Sequence, residues 1–124
     1  MVRVLIADDH KVMRQGLIRI IDGKPDISVV GQAVNGREAL ELTRQLRPDV
    51  VVMDVSMPEM DGVEATRRIK ADFPEVRVIG LSMFDDEHSS KAMREAGAES
   101  FVSKSASSSE LLKSIYGMER TAGS

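Results

Sequence analysis

Residues 48–62, PDVVVMDVSMPEMDG, constrain this chain more than any other stretch. Val50, Val51, Val52 and Met53 form an unbroken apolar run behind a Pro-Asp break, the pattern of a strand buried on both faces of a parallel sheet. The run ends in the carboxylate of Asp54. In open parallel sheets ligand chemistry sits beyond the carboxyl ends of the strands, so Asp54 stands where a site is built and is a candidate nucleophile. Pro58 then breaks the strand. Asp61 is expected to cap a new helix, with Glu64 reaching back from its third position.

The rest of the chain alternates strand and helix around this centre. Val2, Val4, Leu5, Ile6 and Ala7 make a first buried strand, and it too ends in acid, Asp8-Asp9-His10. Met13, Leu17, Ile20 and Ile21 then share one helical face, with Asp9 as an N-terminal anion and Gly23 as terminator. Residues 27–34 read as a second, edge strand. A helix follows from Asn35 with Glu38 in the capping-box position; Ala39, Leu40 and Leu46 face inward and Pro48 ends it. The helix after Gly62 runs to about Asp72, with Val63 and Ile69 inside, and Phe73-Pro74 closes it. Val76, Val78, Ile79 and Leu81 make a fourth strand ending at Ser82. Residues 85–95 offer only Ala92, Met93 and Ala96 as an inner face, which predicts a weakly anchored helix able to move. Phe101-Val102 is a short fifth strand ending at Lys104. Ser107 and Glu110 form a capping box for a last helix carrying Leu111, Leu112, Ile115 and Met118, and a frayed tail follows.

Five strands alternating with five helices define a doubly wound α/β domain, and right-handed crossovers leave few strand orders. The expected order is 2-1-3-4-5. It sets strands one and three side by side at the switch point, so Asp8, Asp9 and Asp54 converge on one crevice, with Ser82 and Lys104 at the same edge.

Composition narrows the chemistry. The 124 residues, 42% hydrophobic, fit one compact domain. Without cysteine there is no disulfide, thiolate zinc site or cysteine nucleophile, which suits a reducing cytoplasm. No apolar run approaches the roughly 20 residues of a membrane span, and the start turns acidic too early for a signal peptide. A net charge of -3 argues against gripping a phosphate backbone, and 3% aromatic residues argue against a flavin or base-stacking platform.

Three clustered carboxylates raise one another's pKa unless a counter-charge is present, and a hard divalent cation such as Mg2+ supplies one. Asp9 and Asp54 are the expected direct ligands. With Lys104 the three carboxylates and the dication sum to a near-neutral pocket that a phosphoryl group can enter. Asp54 attacking phosphorus gives an acyl phosphate, stabilised by metal and ammonium, with Ser82 donating a hydrogen bond. Each residue also has an ordinary reading. Asp8-Asp9 alone is an N-cap pair, Lys104 alone a solvated lysine and Ser82 alone a turn hydroxyl. Their joint arrangement at independently predicted strand ends favours chemistry. Asp49 and Asp61 are assigned structural roles, His10 and His88 none, and Arg67, Arg68 and Lys70 a solvated helix face.

The motifs VLIADDH, MDVSMPEMDG, LSMF and SFVSK, in this order and spacing, resemble the receiver domain of bacterial two-component response regulators, over about residues 2–117. The stretches VMRQGL, NGREALEL and PDVVVMDVSMPEMDGVEATRRI further resemble the NarL/FixJ (LuxR-type) branch, whose receivers are usually joined to a helix-turn-helix DNA-binding domain. The resemblance implies a flavodoxin-like, CheY-like fold. It implies phosphoryl transfer from a sensor histidine kinase to Asp54, with Asp8, Asp9, Asp54 and the main-chain carbonyl of Ser56 holding Mg2+. Lys104 then touches the phosphoryl group, and Ser82 and Phe101 match the hydroxyl and aromatic of the switch. Residues 1–118 are the expected receiver and 119–124 a tail or linker, with no DNA-binding output domain in this chain. Such a domain carries out phosphorelay signalling in the cytoplasm without turning over a separate substrate. Its activated face controls dimerisation or release of a DNA-binding domain, and it contacts DNA only through that domain. Ser105 stands where many such receivers have proline after the lysine, so a trans Lys104–Ser105 peptide is expected.

Three rival readings fit the residues less well. A haloacid-dehalogenase-type phosphatase needs a second acid two residues after the nucleophile, and Ser56 occupies that position. Flavodoxin-like nucleotide binding needs a glycine-rich first turn, where Asp8-Asp9-His10 would repel phosphate. An unphosphorylated interaction domain would not need the complete site.

Overall fold

A computed structural model describes residues 1–82, 87–104 and 108–117. Among them, strands β1 (Val2–Ala7), β2 (Ile27–Ala33), β3 (Val50–Asp54), β4 (Arg77–Ser82) and β5 (Ser100–Ser103) form one parallel sheet in the order 2-1-3-4-5. Helices α1 (Lys11–Asp22), α2 (Gly36–Leu46), α3 (Gly62–Asp72), α4 (Glu87–Ala96) and α5 (Ser108–Tyr116) alternate with them. Both the order and the alternation agree with the sequence reading. The expected start of α4 at Asp85, the Ser107 cap, Met118, the tail and the Lys104–Ser105 peptide lie outside the described residues.

Every residue of β3 is buried, because helices cover both faces of the sheet. Its side chains divide alternately. Val51 and Met53 join Leu5, Ile69 and Met93 in the core under α2, α3 and α4, whereas Val50 and Val52 join Ile6, Ile21, Leu111 and Ile115 under α1 and α5.

Local chemistry sets the helix starts. The Asn35 side chain accepts the Glu38 amide at 2.8 Å, and Asp61 accepts the Glu64 amide at 2.9 Å. Neither capping box closes as expected. The Glu38 carboxylate bonds the amide of Val34, one residue before the cap, and Glu64 turns to Arg67 and Arg68. Both acids take the nearest donor with the stronger charge or better reach.

Two further expectations change. Ile20 is exposed, since α1 buries only Leu17 and Ile21 fully. Lys70 is not simply solvated: its Nζ donates to the carbonyls of Pro74 and Val76 at 2.7 and 2.8 Å, fastening the end of α3 to the turn before β4. The structural reading of Asp49 holds, because its carboxylate accepts the Arg3 amide at 2.8 Å.

Candidate metal and phosphoryl site

The carboxyl ends of β1, β3 and β5 bring the site together, and the main chain fixes each of them. Asp8 N donates to Ala33 O at 3.0 Å, Val55 N to Leu81 O at 3.0 Å, and Lys104 N to Ser82 O at 2.7 Å. These bonds extend the sheet ladder by one residue at each strand end, so the side chains just beyond it inherit the sheet's rigidity. Gly62 closes the loop after β3: its amide donates to Val55 O at 2.8 Å, and a Cβ there would stand 2.0 Å from Asp54 O. Only glycine permits that approach.

Asp8 and Asp54 are buried and Asp9 is exposed. Lys104 Nζ lies 2.8 Å from Asp8 Oδ2 and 3.2 Å from Asp54 Oδ2, with 1% of its side chain exposed. A lysine so buried is held by its two acidic partners, which excludes the solvated reading. Burial pushes the Asp54 carboxyl from 3.8 up to about 6; the Lys104 ammonium opposes this, Asp8 adds to it, and the Ser56 amide stabilises the carboxylate by a hydrogen bond.

Ser82 closes β4 opposite Ser103 of β5, at the same edge as Lys104. Phe101 is half-buried two strands from Asp54, against the core that includes Met93. Gly80 makes room for it, since a Cβ at that position would lie 2.8 Å from the Phe101 ring and 3.0 Å from Met93 Cε.

Two residues escaped sequence reasoning. His10 is exposed, yet its Nδ1 lies 3.3 Å from both Asp8 Oδ1 and Asp9 Oδ1 and 3.9 Å from Asp54 Oδ2. Arg14 anchors the strand end from α1, donating to the carbonyl of Asp8 at 2.8 Å and to Gln32 at 3.0 Å. His10 sits at the N-cap of α1 without a side-chain cap bond. Its position beside two acids was the available signal; only the turn's conformation aims the ring.

The donor set suits a hard cation. One atom from each of Asp8, Asp9, His10 and Asp54 lies within 4.8 Å of the others, and buried Asp8 Oδ2 has no hydrogen bond although the Lys104 ammonium is near. A doubly wound sheet of order 2-1-3-4-5 with an acidic crevice at its switch point, faced by a buried lysine, defines a receiver-type domain.

The response regulator receiver domain family matches residues 4–116, and the chain belongs to that family. It is 39% identical over 115 residues to the transcriptional regulatory protein LiaR of Bacillus subtilis, covering 93% of this chain and 54% of that protein. The chain thus spans about half the length of the curated relatives it matches. Among solved structures, the receiver domain of the response regulator NarL from Mycobacterium tuberculosis superposes with a TM-score of 0.89 at 31% identity, covering 96% of each chain. A chain of the CheX–CheY–BeF3–Mg2+ complex from Borrelia burgdorferi gives 0.86 at 26% identity, over 94% of this chain and 88% of the other. Receiver domains of two-component response regulators bind Mg2+ at an acidic pocket, and the described residues of this chain gather an acidic cluster of Asp8, Asp9 and Asp54 beside His10. Among the described residues no helix is long and apolar enough to cross a membrane.

Proposed function

We propose that this domain accepts a phosphoryl group on Asp54 from a sensor histidine kinase and is switched by it. One observation carries the reading: Asp54, Asp8 and Lys104, from three strands, meet within 3.2 Å of a shared ammonium in a buried crevice. In the reaction an Asp54 carboxylate oxygen attacks phosphorus, the nitrogen–phosphorus bond of the kinase phosphohistidine breaks, and its electron pair returns to the imidazole. Attack of water on phosphorus later releases inorganic phosphate and restores the carboxylate, so no separate substrate is turned over.

Mg2+ held by Asp8, Asp9, Asp54 and the main-chain carbonyl of Ser56 would supply charge neutralisation for the phosphoryl oxygens. Lys104 offers its ammonium to one of them, exchanging a carboxylate partner for a phosphoryl oxygen. The Ser82 hydroxyl donates to another. Phe101 moves into the space that Ser82 vacates, and the face formed by α4, β5 and α5 changes shape.

Residues 1–118 act as the receiver and 119–124 as a tail or linker. In a longer regulator this face controls dimerisation or release of a DNA-binding output domain, through which alone the protein contacts DNA. LiaR, named a transcriptional regulatory protein, supports that extension, and the histidine kinase chemistry supports a cytoplasmic site of action.

Intact-mass measurement after exposure to a small-molecule phosphodonor, with and without Mg2+, tests the proposal. A single phosphoryl addition that requires the divalent ion and vanishes in Asp54→Asn is expected. Equal labelling of the Asn variant, or full labelling in excess chelator, overturns it.

A further inference from the structure

We infer that His10 is a fourth protein donor to the cation held by Asp8, Asp9 and Asp54, and that its imidazole makes this a site for first-row transition ions such as Co2+ as well as for Mg2+. The inference rests on the reading of the acidic cluster as a cation site. Around an ion with bonds of about 2.1 Å, adjacent donors stand about 3 Å apart and opposite ones about 4.2 Å. His10 Nδ1 meets this requirement on three sides at once, at 3.3 Å from Asp8 Oδ1, 3.3 Å from Asp9 Oδ1 and 3.9 Å from Asp54 Oδ2.

The backbone holds the ring in that position. His10 N donates to Asp8 Oδ1 at 2.9 Å and His10 O accepts from Arg14 N at 2.8 Å, so the residue is fixed on both sides at the head of α1. Its side chain makes no capping bond, which leaves Nδ1 facing the carboxylates.

Donor chemistry then sets the metal preference. Carboxylates and water suit Mg2+, which dehydrates reluctantly, so an imidazole adds little for that ion. Imidazole nitrogen suits later first-row ions such as Co2+, Ni2+ and Zn2+. Among the side-chain donors of the cluster, the imidazole nitrogen is the softest.

Titration calorimetry with Mg2+ and with Co2+, on the wild-type chain, His10→Ala and His10→Gln, tests this. The ratio of Co2+ to Mg2+ affinity is expected to fall about tenfold in both variants. Histidine ring protons shifted by paramagnetic Co2+ are expected in wild-type spectra and absent from both variants. A fall of less than about threefold, or unshifted His10 ring protons, overturns the inference and leaves the ring as an ion-pair partner of Asp8 and Asp9. Failure of the wild-type chain to bind either ion, or binding that survives Asp9→Asn combined with Asp54→Asn, overturns the cation-site reading itself and this inference with it.

Discussion

Lys104 Nζ donates to Asp54 Oδ2 at 3.2 Å across 50 residues of sequence. The contact joins the ends of β3 and β5, which are not adjacent in the sheet, with β4 between them. Because Lys104 also lies 2.8 Å from Asp8, one buried ammonium balances two buried carboxylates drawn from three strands. Removing the ammonium leaves both carboxylates uncompensated in a poorly solvated place.

Lys104→Met should therefore destabilise the metal-free domain by about 3 kcal/mol. Excess Mg2+ should restore part of the loss, because the cation replaces the missing counter-charge. Urea unfolding in chelator and in Mg2+ measures both. A variant as stable as wild type in chelator would contradict the balance described.

Asp54→Asn should act in the opposite direction without metal. The Asp54 carboxyl is raised from 3.8 to about 6, chiefly by burial, so the folded state holds its proton more tightly than the unfolded state. The stability this group contributes is fully present below its unfolded pKa and is lost as pH rises through about 6. The Asn variant has no such loss, and Lys104 keeps Asp8 as its partner. In chelator the variant should gain on wild type between about pH 4 and pH 7, reaching about 1–3 kcal/mol. Denaturant midpoints across that range check it, and a gap that narrows with rising pH would refute it.

Gly80→Ala should cost about 1–3 kcal/mol by overpacking, since its Cβ would meet the Phe101 ring at 2.8 Å and Met93 Cε at 3.0 Å. Shortening the obstacle should help. In a double-mutant cycle, Phe101→Leu should recover part of the loss, a positive coupling that independent sites would not show.

A phosphoryl mimic with Mg2+ should alter amide hydrogen exchange in β4, α4 and β5. Residues 82 and 104 are joined through the main chain, Lys104 N to Ser82 O at 2.7 Å, so a pull on either is felt by both strands. α4 is the softer neighbour, with Met93 and Ala96 its buried residues. Changes confined to α1 and α2, with residues 87–104 silent, would defeat the switch.

The fold was readable because its signals are local. An apolar run as continuous as Val50–Met53 has few stable positions outside the centre of a parallel sheet, and β3 is buried at every residue. Asn35 and Asp61 marked helix starts because an N-cap needs a short side-chain acceptor at one position, and both accept the expected amide. The capping-box acids were less legible. Glu64 had Arg67 and Arg68 one turn ahead, and a choice among partners within reach depends on rotamers that residue types do not specify.

By itself, then, the sequence determined the strand order and the set of residues at the strand ends, because burial and handed crossovers leave few alternatives. Tertiary structure decided the rest. Alternation along β1 and β3 divided the core between α1 with α5 and α2 with α3 and α4, a choice invisible in a run of uniformly apolar residues. The turn after β1 set one ring nitrogen of the exposed His10 beside three carboxylates. Close packing at the sheet edge buried Lys104, whose sequence alone reads as a surface lysine. A charge becomes structural only when neighbours distant in sequence remove its water, and that removal is a property of the assembled sheet.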